Sequence, residues 1–376
     1  MELKSEQKIL ILTTLITICT LTISYSTYFS QSKIAPAFEK TGESTNNINN
    51  INNGQPLTMV GLKGKVVLVN FWTYSCINVL RTVPHLIDWN TKYADKGLVI
   101  VGVHTPEFGF EQNADYVRTS LQKYGIEYPV IQDNDYKIWN AYGNNYWPRM
   151  YLVDDQGLVR YDKIGEGDYN QTEKAIQSLL AERNSNKEIE HIDDGNTTIP
   201  YWNKSQFNST NDIRNFLGQP VDFSKIKTPE LYFGNQSSGS SIGNMEGIHP
   251  SQTVTYSTPK PNPSIKPNTI YLEGKWKNNH DNVELQGDTG RITLIYSAKY
   301  VNLVTGGKGQ GIVHEDNSLL SNRSKGVDTE NDSKFVIDYP RLYNIVNHQS
   351  YGDDDFHSLT IDVKGKGFQA YAFTFG

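Results

Sequence analysis

The chain has 376 residues, of which 37% are hydrophobic, and a formal net charge of −6 at pH 7. This length accommodates two domains with linkers, and the composition excludes a polytopic membrane protein. Nucleic acid is excluded as a partner, because binding to phosphates requires a basic face and this chain has an acidic balance.

Residues 9–29 carry no charged side chain and follow two lysines, Lys4 and Lys8. The stretch is long enough to cross the hydrocarbon core of a bilayer. The lysines favour a cytoplasmic location for residues 1–8, so we expect a single-pass transmembrane helix that anchors the protein in the cell membrane. A cleaved signal peptide is the alternative, because residues 35–37 (Ala-Pro-Ala) resemble a cleavage site. Both interpretations place the body of the protein on the extracytoplasmic side.

Residues 30–56 are polar and rich in Asn, and we interpret them as a flexible linker. Between residues 57 and 183, short apolar runs alternate with amphipathic stretches, which predicts an α/β domain with a mixed sheet flanked by helices. The predicted strands cover residues 66–71, 98–103, 128–132, 150–153 and 158–164. The predicted helices cover residues 76–95, 112–124, 135–142 and 171–183.

The polar, irregular residues 184–227 are interpreted as a second linker. From residue 228 to residue 376 the pattern becomes all-β, with alternating segments such as Ile292, Leu294 and Tyr296. Gly, Asn and Asp residues separate many such segments, which predicts a β-sandwich or jelly-roll domain.

The chain has two cysteines, Cys19 in the apolar stretch and Cys76 in the exported body. They cannot pair with each other, because one would lie in lipid and the other in water. Cys76 follows a predicted buried strand and begins a predicted helix. The free N–H groups and the positive end of the helix dipole stabilise a thiolate at such a place. We therefore expect the pKa of Cys76 to lie below the usual value of about 8.5.

The sequence around Cys76, from Phe71 to Pro84, reads FWTYSCINVLRTVP. It resembles the FW-x-x-x-C-x-x-C motif of the thioredoxin-like (redoxin) family, and more closely its TlpA-like and DipZ-like extracytoplasmic branch. Residues 102–108 and the Trp147-Pro148 pair resemble the same branch. The resemblance implies a thiol–disulfide oxidoreductase in which Trp147 and Pro148, a cis-proline, shape a substrate groove. It also implies an active-site motif around the catalytic Cys76, formed by Trp72, Thr73, Tyr74, Ser75, Ile77, Asn78 and Val79.

The second cysteine of that motif is replaced here by Val79. A dithiol mechanism needs one sulfur to attack and another to resolve the mixed disulfide, so Val79 impairs it. In one interpretation Cys76 acts as a monothiol, and a small thiol or another protein's cysteine resolves the mixed disulfide that it forms. In a second it is oxidised by peroxide, because Thr73 fits part of the peroxiredoxin pattern. In a third the domain is a binding scaffold with an inert cysteine. An engineered replacement at Val79 is a further alternative.

Three residues are candidate helpers of Cys76. His104 and Glu107 follow a predicted parallel strand and emerge at the same sheet edge as Cys76, where they serve proton transfer, substrate contact or loop ordering. Arg81 either favours the thiolate or points to solvent. No cluster of Cys and His has metal-ligand spacing and no nucleotide-binding motif is present, so we expect neither a metal nor another cofactor.

The C-terminal half resembles the module that follows thioredoxin in DipZ-like proteins, which is itself similar to carbohydrate-binding modules. The stretches that carry this resemblance are residues 228–234, 271–276 and 371–376. The resemblance implies a glycan or protein ligand. Tyr232, Trp276 and Tyr343 either stack on sugar rings or pack in the core.

The resemblance to this branch also implies redox partners. Protein or small-molecule thiols and disulfides are the expected substrates. DipZ-like proteins carry an electron-conducting membrane domain of several helices that this sequence lacks, so the expected reductant is a separate membrane or soluble protein.

Overall fold

A computed structural model describes residues 33–38, 51, 57–187, 217, 221–234, 241–257, 265–350 and 356–376. The predicted membrane span at residues 9–29 lies outside the described residues, as do most of the two predicted linkers. Within the described part of the chain, no helix is long and apolar enough to cross a membrane.

The first domain is built on a six-stranded mixed sheet with the strand order β1-β6-β5-β2-β3-β4. The strands are β1 (Lys33–Ile34), β2 (Val66–Trp72), β3 (Leu98–His104), β4 (Val130–Gln132), β5 (Arg149–Val153) and β6 (Leu158–Ile164). Strands β2, β3 and β4 run parallel, and β5 and β6 are antiparallel to their neighbours. The helices are α1 (Ile77–Leu80), α2 (Val83–Tyr93), α3 (Ala114–Tyr124), α4 (Lys137–Ala141) and α5 (Tyr169–Lys187).

Both faces of this sheet are covered, which explains the continuous apolar runs in β2 and β3. Every residue of these two strands is buried. Successive residues of β2 enter different cores, because side chains alternate across a strand. Leu68 packs into one apolar cluster and Val67 and Val69 into another. The expected α/β domain with a mixed sheet flanked by helices is thereby confirmed.

The segment after Cys76 differs from the single helix predicted for residues 76–95. Helix α1 ends at Leu80, and α2 begins at Val83. Pro84 explains the interruption, since it has no N–H group and its ring would clash with the carbonyl of Leu80, four residues before it. The N–H of Thr82 instead donates to the Val79 carbonyl, three residues back. Cys76 therefore heads a helix of only four residues.

The second domain contains eleven strands within the described residues, all hydrogen-bonded into one curled sheet. These are β7 (Leu231–Tyr232), β8 (Thr253–Tyr256), β9 (Ile270–Asn278), β10 (Val283–Tyr296), β11 (Tyr300–Gly307), β12 (Gln310–Glu315), β13 (Ser318–Leu319), β14 (Lys334–Val336), β15 (Arg341–Asn347), β16 (His357–Lys364) and β17 (Phe368–Phe375). The main path is β13-β12-β16-β10-β17-β11-β15.

The all-β prediction is confirmed, but the strands form a continuous curled sheet instead of two separate sheets of a sandwich. The long strand β10 makes the connection. Its first residues, Val283 and Glu284, pair with β17, whereas its second half pairs with β16. A shift in its register with β9 between Leu285 and Gly290 bends it between these two parts.

The two domains pack against each other through aromatic side chains. Tyr371 of β17 packs edge-on against Phe108 and Phe110 of the first domain, which stack on each other, with ring centroids 5.3 Å and 4.7 Å away. Tyr371 and Tyr300 belong to the same buried apolar cluster as the core of the first domain. The second domain thus covers the edge of the sheet where Cys76 lies.

Candidate functional site

Cys76 stands between β2 and α1, with an extended backbone at the position before the first helical residue. Its side chain is 8% exposed. It opens onto a cavity of about 550 Å³ between the two domains, which we call the active-site cavity. The residues that line it are Cys76, Asn78, Glu107, Tyr136, Asn145, Tyr146, Trp147, Glu230, Tyr232 and His280.

The expectation of a lowered thiol pKa at Cys76 is wrong. Burial raises the pKa of Cys76 well above its ordinary value, and the nearby carboxylates of Glu107 and Glu230 raise it further. The backbone N–H groups of Val79 and Asn78 at the start of α1 act in the opposite direction, as predicted, but they do not offset burial. A helix of four residues has a short macrodipole, which explains why burial wins. The sulfur is therefore a protonated thiol near neutral pH.

Glu111 organises the turn before Cys76 and is a residue that the sequence did not reveal. It is fully buried and accepts hydrogen bonds from the hydroxyl groups of Thr73 and Ser75, the latter at 2.6 Å. Its other oxygen accepts from the backbone N–H groups of Glu107 and Phe108. A carboxylate that accepts from so many donors fixes two loops at once. No spacing or composition signal marks Glu111, because it lies 35 residues beyond Cys76.

Trp72, Tyr74 and His104 form a buried aromatic group behind the turn. His104 stacks on Tyr74 with ring centroids 5.6 Å apart and meets the edge of Trp72 at 5.2 Å. Burial lowers the pKa of His104 to about 3, so its ring is neutral. Neither of its ring nitrogens has a hydrogen-bond partner among the described residues. His104 is not among the described residues that line the active-site cavity, so it packs behind the site.

Glu107, by contrast, lines the active-site cavity with Cys76. It accepts a hydrogen bond of 3.0 Å from the hydroxyl of Tyr232 in the second domain. Burial raises the pKa of Glu107 to about 8, and the charges of Glu111 and Glu230 add to this effect. Its carboxyl group therefore exchanges a proton close to neutral pH.

Arg81 ties α1 to the second domain and is buried, so it does not point to solvent. Its guanidinium forms an ion pair of 3.1 Å with Glu166 and donates to the Phe375 carbonyl at 3.4 Å. It also donates to the side chain of Asn78 at 3.3 Å. These contacts hold the start of α1 in place against β17.

Ile77 and Val79 pack in the same apolar cluster as Cys76 and are at most 1% exposed. Among the described residues, Cys76 is the only cysteine. The position of the missing sulfur is thus filled by a packed isopropyl group.

Trp147 forms another part of the cavity lining. The Trp147–Pro148 peptide bond is cis, as the family resemblance implied. The Trp147 indole donates to the Thr105 carbonyl at 3.1 Å and packs on Trp139 with centroids 4.3 Å apart. These contacts fix the ring in the wall of the active-site cavity.

The second domain supplies three residues to the cavity, which the sequence did not predict. Glu230 accepts a hydrogen bond of 3.2 Å from Asn78, and Tyr232 bridges Glu230 and Glu107. His280 completes this side of the lining. Gly234 allows the close approach, because a Cβ at this position would lie 2.5 Å from the backbone of His280.

Two of the three aromatic residues considered as sugar platforms are in the core. Trp276 and Tyr343 are at most 1% exposed, so neither presents a ring to solvent. Tyr232 is half-buried and hydrogen-bonded in the active-site cavity. Trp276 and Tyr343 therefore pack in the core of the second domain and do not serve as sugar platforms.

Two known families match this chain, one in each of its two domains. Residues 64–159 match the family described as thioredoxin-like. Residues 228–376 match the family described as the thioredoxin-like C-terminal domain. The second match starts just before Glu230, so it includes the residues that close the active-site cavity.

Individual relatives agree with these matches. The chain is 33% identical over 328 residues to protein DipZ of Mycobacterium tuberculosis (strain CDC 1551 / Oshkosh), covering 86% of this chain and 40% of DipZ. It is 28% identical over 118 residues to the thiol-disulfide oxidoreductase YkuV of Bacillus subtilis (strain 168), covering 31% of this chain and 79% of YkuV. A putative thiol:disulfide interchange protein DsbE from Chlorobium tepidum matches 40% of the chain and 99% of its own length at 21% identity, with a TM-score of 0.35. The chain spans less than half the length of the DipZ protein that it matches. Its two domains nonetheless both match, in order, and the chain is therefore a thioredoxin-like, DipZ-like protein.

Proposed function

We propose that the chain is a membrane-anchored, extracytoplasmic thiol–disulfide oxidoreductase of the TlpA/DipZ type that works through Cys76 alone. The observation that carries the proposal is that Cys76 and the carboxyl group of Glu107 line one cavity. The membrane anchor is the apolar stretch at residues 9–29 of the sequence.

The reaction is an exchange between a disulfide and a thiol. The sulfur of Cys76 attacks one sulfur of the disulfide, a new S–S bond forms to Cys76, and the original S–S bond breaks. The leaving thiolate takes the electron pair of the broken bond. Val79 cannot attack the mixed disulfide that results, so an external small thiol or another protein's cysteine must release Cys76. That second thiol forms a disulfide with the bound group and returns Cys76 to its reduced state.

Glu107 is the proposed proton carrier in this exchange. Because its pKa is about 8, near neutral pH a fraction of Glu107 is ionised and accepts the proton of the Cys76 thiol. The same carboxyl group then gives the proton to the leaving thiolate. Tyr232 donates to this carboxyl group and orients it.

A non-catalytic binding scaffold is the second candidate, favoured by the burial of Cys76 and its raised pKa. Peroxidase activity has less support from the geometry. It requires a reactive thiolate, and the Thr73 hydroxyl that fits the peroxiredoxin pattern donates to Glu111.

The test is trapping of the mixed disulfide on the full chain carrying Cys19→Ser, so that Cys76 is the sole thiol. The folded protein is mixed with 2-hydroxyethyl disulfide, and the mass of the intact chain is measured over time. We expect one adduct on Cys76, which a small thiol removes, and none on Cys76→Ser. If the chain reacts when unfolded in guanidinium chloride but not when folded, the scaffold function is correct and our proposal is wrong.

A further inference from the structure

The wall that the second domain contributes to the active-site cavity limits the size of what reaches Cys76. Glu230, Tyr232 and His280 line the cavity together with Trp147, the residue before the cis-proline. An extended polypeptide that pairs with the backbone beside this proline needs an open edge. Here the second domain occupies that side, held by the packing of Tyr371 against Phe108 and Phe110.

The cavity volume agrees with a small ligand. A volume of about 550 Å³ lies within the range of ordinary small-molecule pockets, about 300 to 1,000 Å³. Cys76 is 8% exposed, so little of its side chain is open to a disulfide on the surface of a folded protein. A compact organic disulfide can enter the cavity whole.

The charge of the cavity selects among small ligands. Its lining contains two carboxyl groups, Glu107 and Glu230, and neither a lysine nor an arginine is among its described lining residues. The buried Glu111 adds a third carboxyl group behind Glu107. The other titratable groups that line the cavity are His280, Tyr136, Tyr146, Tyr232 and Cys76 itself.

These carboxyl groups also oppose ionisation of the thiol. The charge of Glu230, and that of the ionised fraction of Glu107, favour the protonated form of Cys76. A ligand that brings a positive charge into the cavity compensates them and makes the thiolate easier to form. An anionic ligand adds a further like charge and makes it harder to form.

We propose that the substrates of the active-site cavity are small organic disulfides that carry a protonated amine, with small thiols as the second reactant. This inference rests on the proposed exchange function. In each cycle the Cys76 thiol and an amine-bearing disulfide give the Cys76 mixed disulfide and one free aminothiol. A small thiol then attacks the mixed disulfide, leaves with the remaining aminothiol as a new disulfide, and restores Cys76.

The test compares disulfides of similar size and different charge on the full chain carrying Cys19→Ser. The probes are cystamine (a dication), 2-hydroxyethyl disulfide (neutral), 3,3′-dithiodipropionate (a dianion), and insulin as a protein disulfide. The rate of adduct formation on Cys76 is read from the intact mass. Each rate is divided by the rate for the chain unfolded in guanidinium chloride, which removes the intrinsic reactivity of the probe.

We expect the corrected rate for cystamine to exceed that for the neutral probe by about tenfold, and the dianion to be slower by a similar factor. Insulin gives no adduct. Glu230→Gln lowers the preference for cystamine about threefold, whereas Glu246→Gln, a carboxyl group of the same domain outside the cavity lining, leaves it unchanged.

The outcomes separate this inference from the proposed function. If the small probes react with the folded chain at equal corrected rates, or if insulin reacts as fast as cystamine, the inference is wrong and the exchange function stands. If no probe reacts with the folded chain although all react with the unfolded one, the exchange function itself is wrong.

Discussion

The hydroxyl of Tyr232 in the second domain donates a hydrogen bond of 3.0 Å to Glu107 of the first domain, beside the active-site cysteine. The same hydroxyl oxygen lies 3.1 Å from a carboxylate oxygen of Glu230, so its single proton is shared between the two carboxyl groups. One side chain therefore lines the active-site cavity and also stabilises the ionised form of Glu107, against the burial that raises the pKa of this carboxyl group. The second domain is part of the site and not merely an appended module.

Removing this hydroxyl with Tyr232→Phe is expected to raise the pKa of Glu107 above its value of about 8, because the hydrogen bond stabilises the ionised carboxylate. Carbon-13 NMR of the glutamate side-chain carboxyl groups measures this midpoint, with Glu107→Gln identifying the signal. Tyr161→Phe removes a hydroxyl that bonds to Thr172 and serves as the matched control. An unchanged midpoint in Tyr232→Phe would show that the hydroxyl does not set the pKa of Glu107.

Glu111→Gln is expected to destabilise the protein by about 2 to 3 kcal/mol, because the amide places a donor where Thr73, Ser75, Glu107 and Phe108 already donate. Urea unfolding measures the loss. Glu182→Gln, at an exposed ion pair with Arg160, is the control and is expected to cost less than about 1 kcal/mol.

The position of Glu111 also predicts an effect on Cys76. With the turn loosened, the alkylation rate of Cys76 by iodoacetamide should change in Glu111→Gln and stay constant in Glu182→Gln. Equal unfolding free energies for the two variants would contradict the organising role of Glu111.

His104→Phe is expected to make the protein more resistant to acid. The pKa of His104 is lowered from 6.5 to about 3 in the folded protein, so below pH 6.5 the unfolded chain binds a proton that the folded chain does not. Stability is therefore lost as the pH falls from about 6.5 towards 3, and this loss is on the order of 2 to 3 kcal/mol at pH 4.5.

Phenylalanine cannot bind that proton and fits the aromatic packing with Tyr74 and Trp72. The measurement is the difference in unfolding free energy between pH 7 and pH 4.5 for the parent and the variant. His249→Phe, at an exposed histidine, should keep the parent's difference. If His104→Phe also keeps the parent's difference, the pKa of His104 is not lowered in the folded protein and the prediction is wrong.

Val79→Cys is expected to introduce dithiol chemistry, because it restores the second sulfur of the family motif at a position whose side chain is now packed in the core. Oxidation should join this cysteine to Cys76, seen as the loss of two hydrogens from the intact mass and of free thiol. Val79→Ser has a similar size and cannot form the bond, so it controls for the loss of packing. Failure of the cysteine variant to form the disulfide would mean that the start of α1 does not hold the two positions in exchange geometry.

Local sequence patterns predicted the first domain well. The apolar runs of β2 and β3 required burial on both faces, and the turn between β5 and β6 required a hairpin. The family resemblance implied a helix-kinking proline at Pro84, but the division into two separate helices was not predicted, because apolar residues continue at helical spacing on both sides of it. The curled sheet was missed because one long strand, β10, pairs with different partners along its length.

The chemistry of the site was less predictable, because it depends on contacts between distant parts of the chain. The position of Cys76 before α1 indicated a stabilised thiolate, and the N–H groups do act in that direction. Burial of Cys76 reverses the result, and the carboxylates of Glu107 and of Glu230, which lies more than 150 residues away, add to it.

The most direct test of exchange through Cys76 alone is turnover. The full chain carrying Cys19→Ser is mixed with cystamine and a small thiol, and the formation of the mixed disulfide of the two is followed by chromatography. We predict a rate that is proportional to protein concentration, is abolished by Cys76→Ser, and needs no second cysteine. A rate equal to that of the same reaction without protein, or a rate that Cys76→Ser retains, would contradict the account.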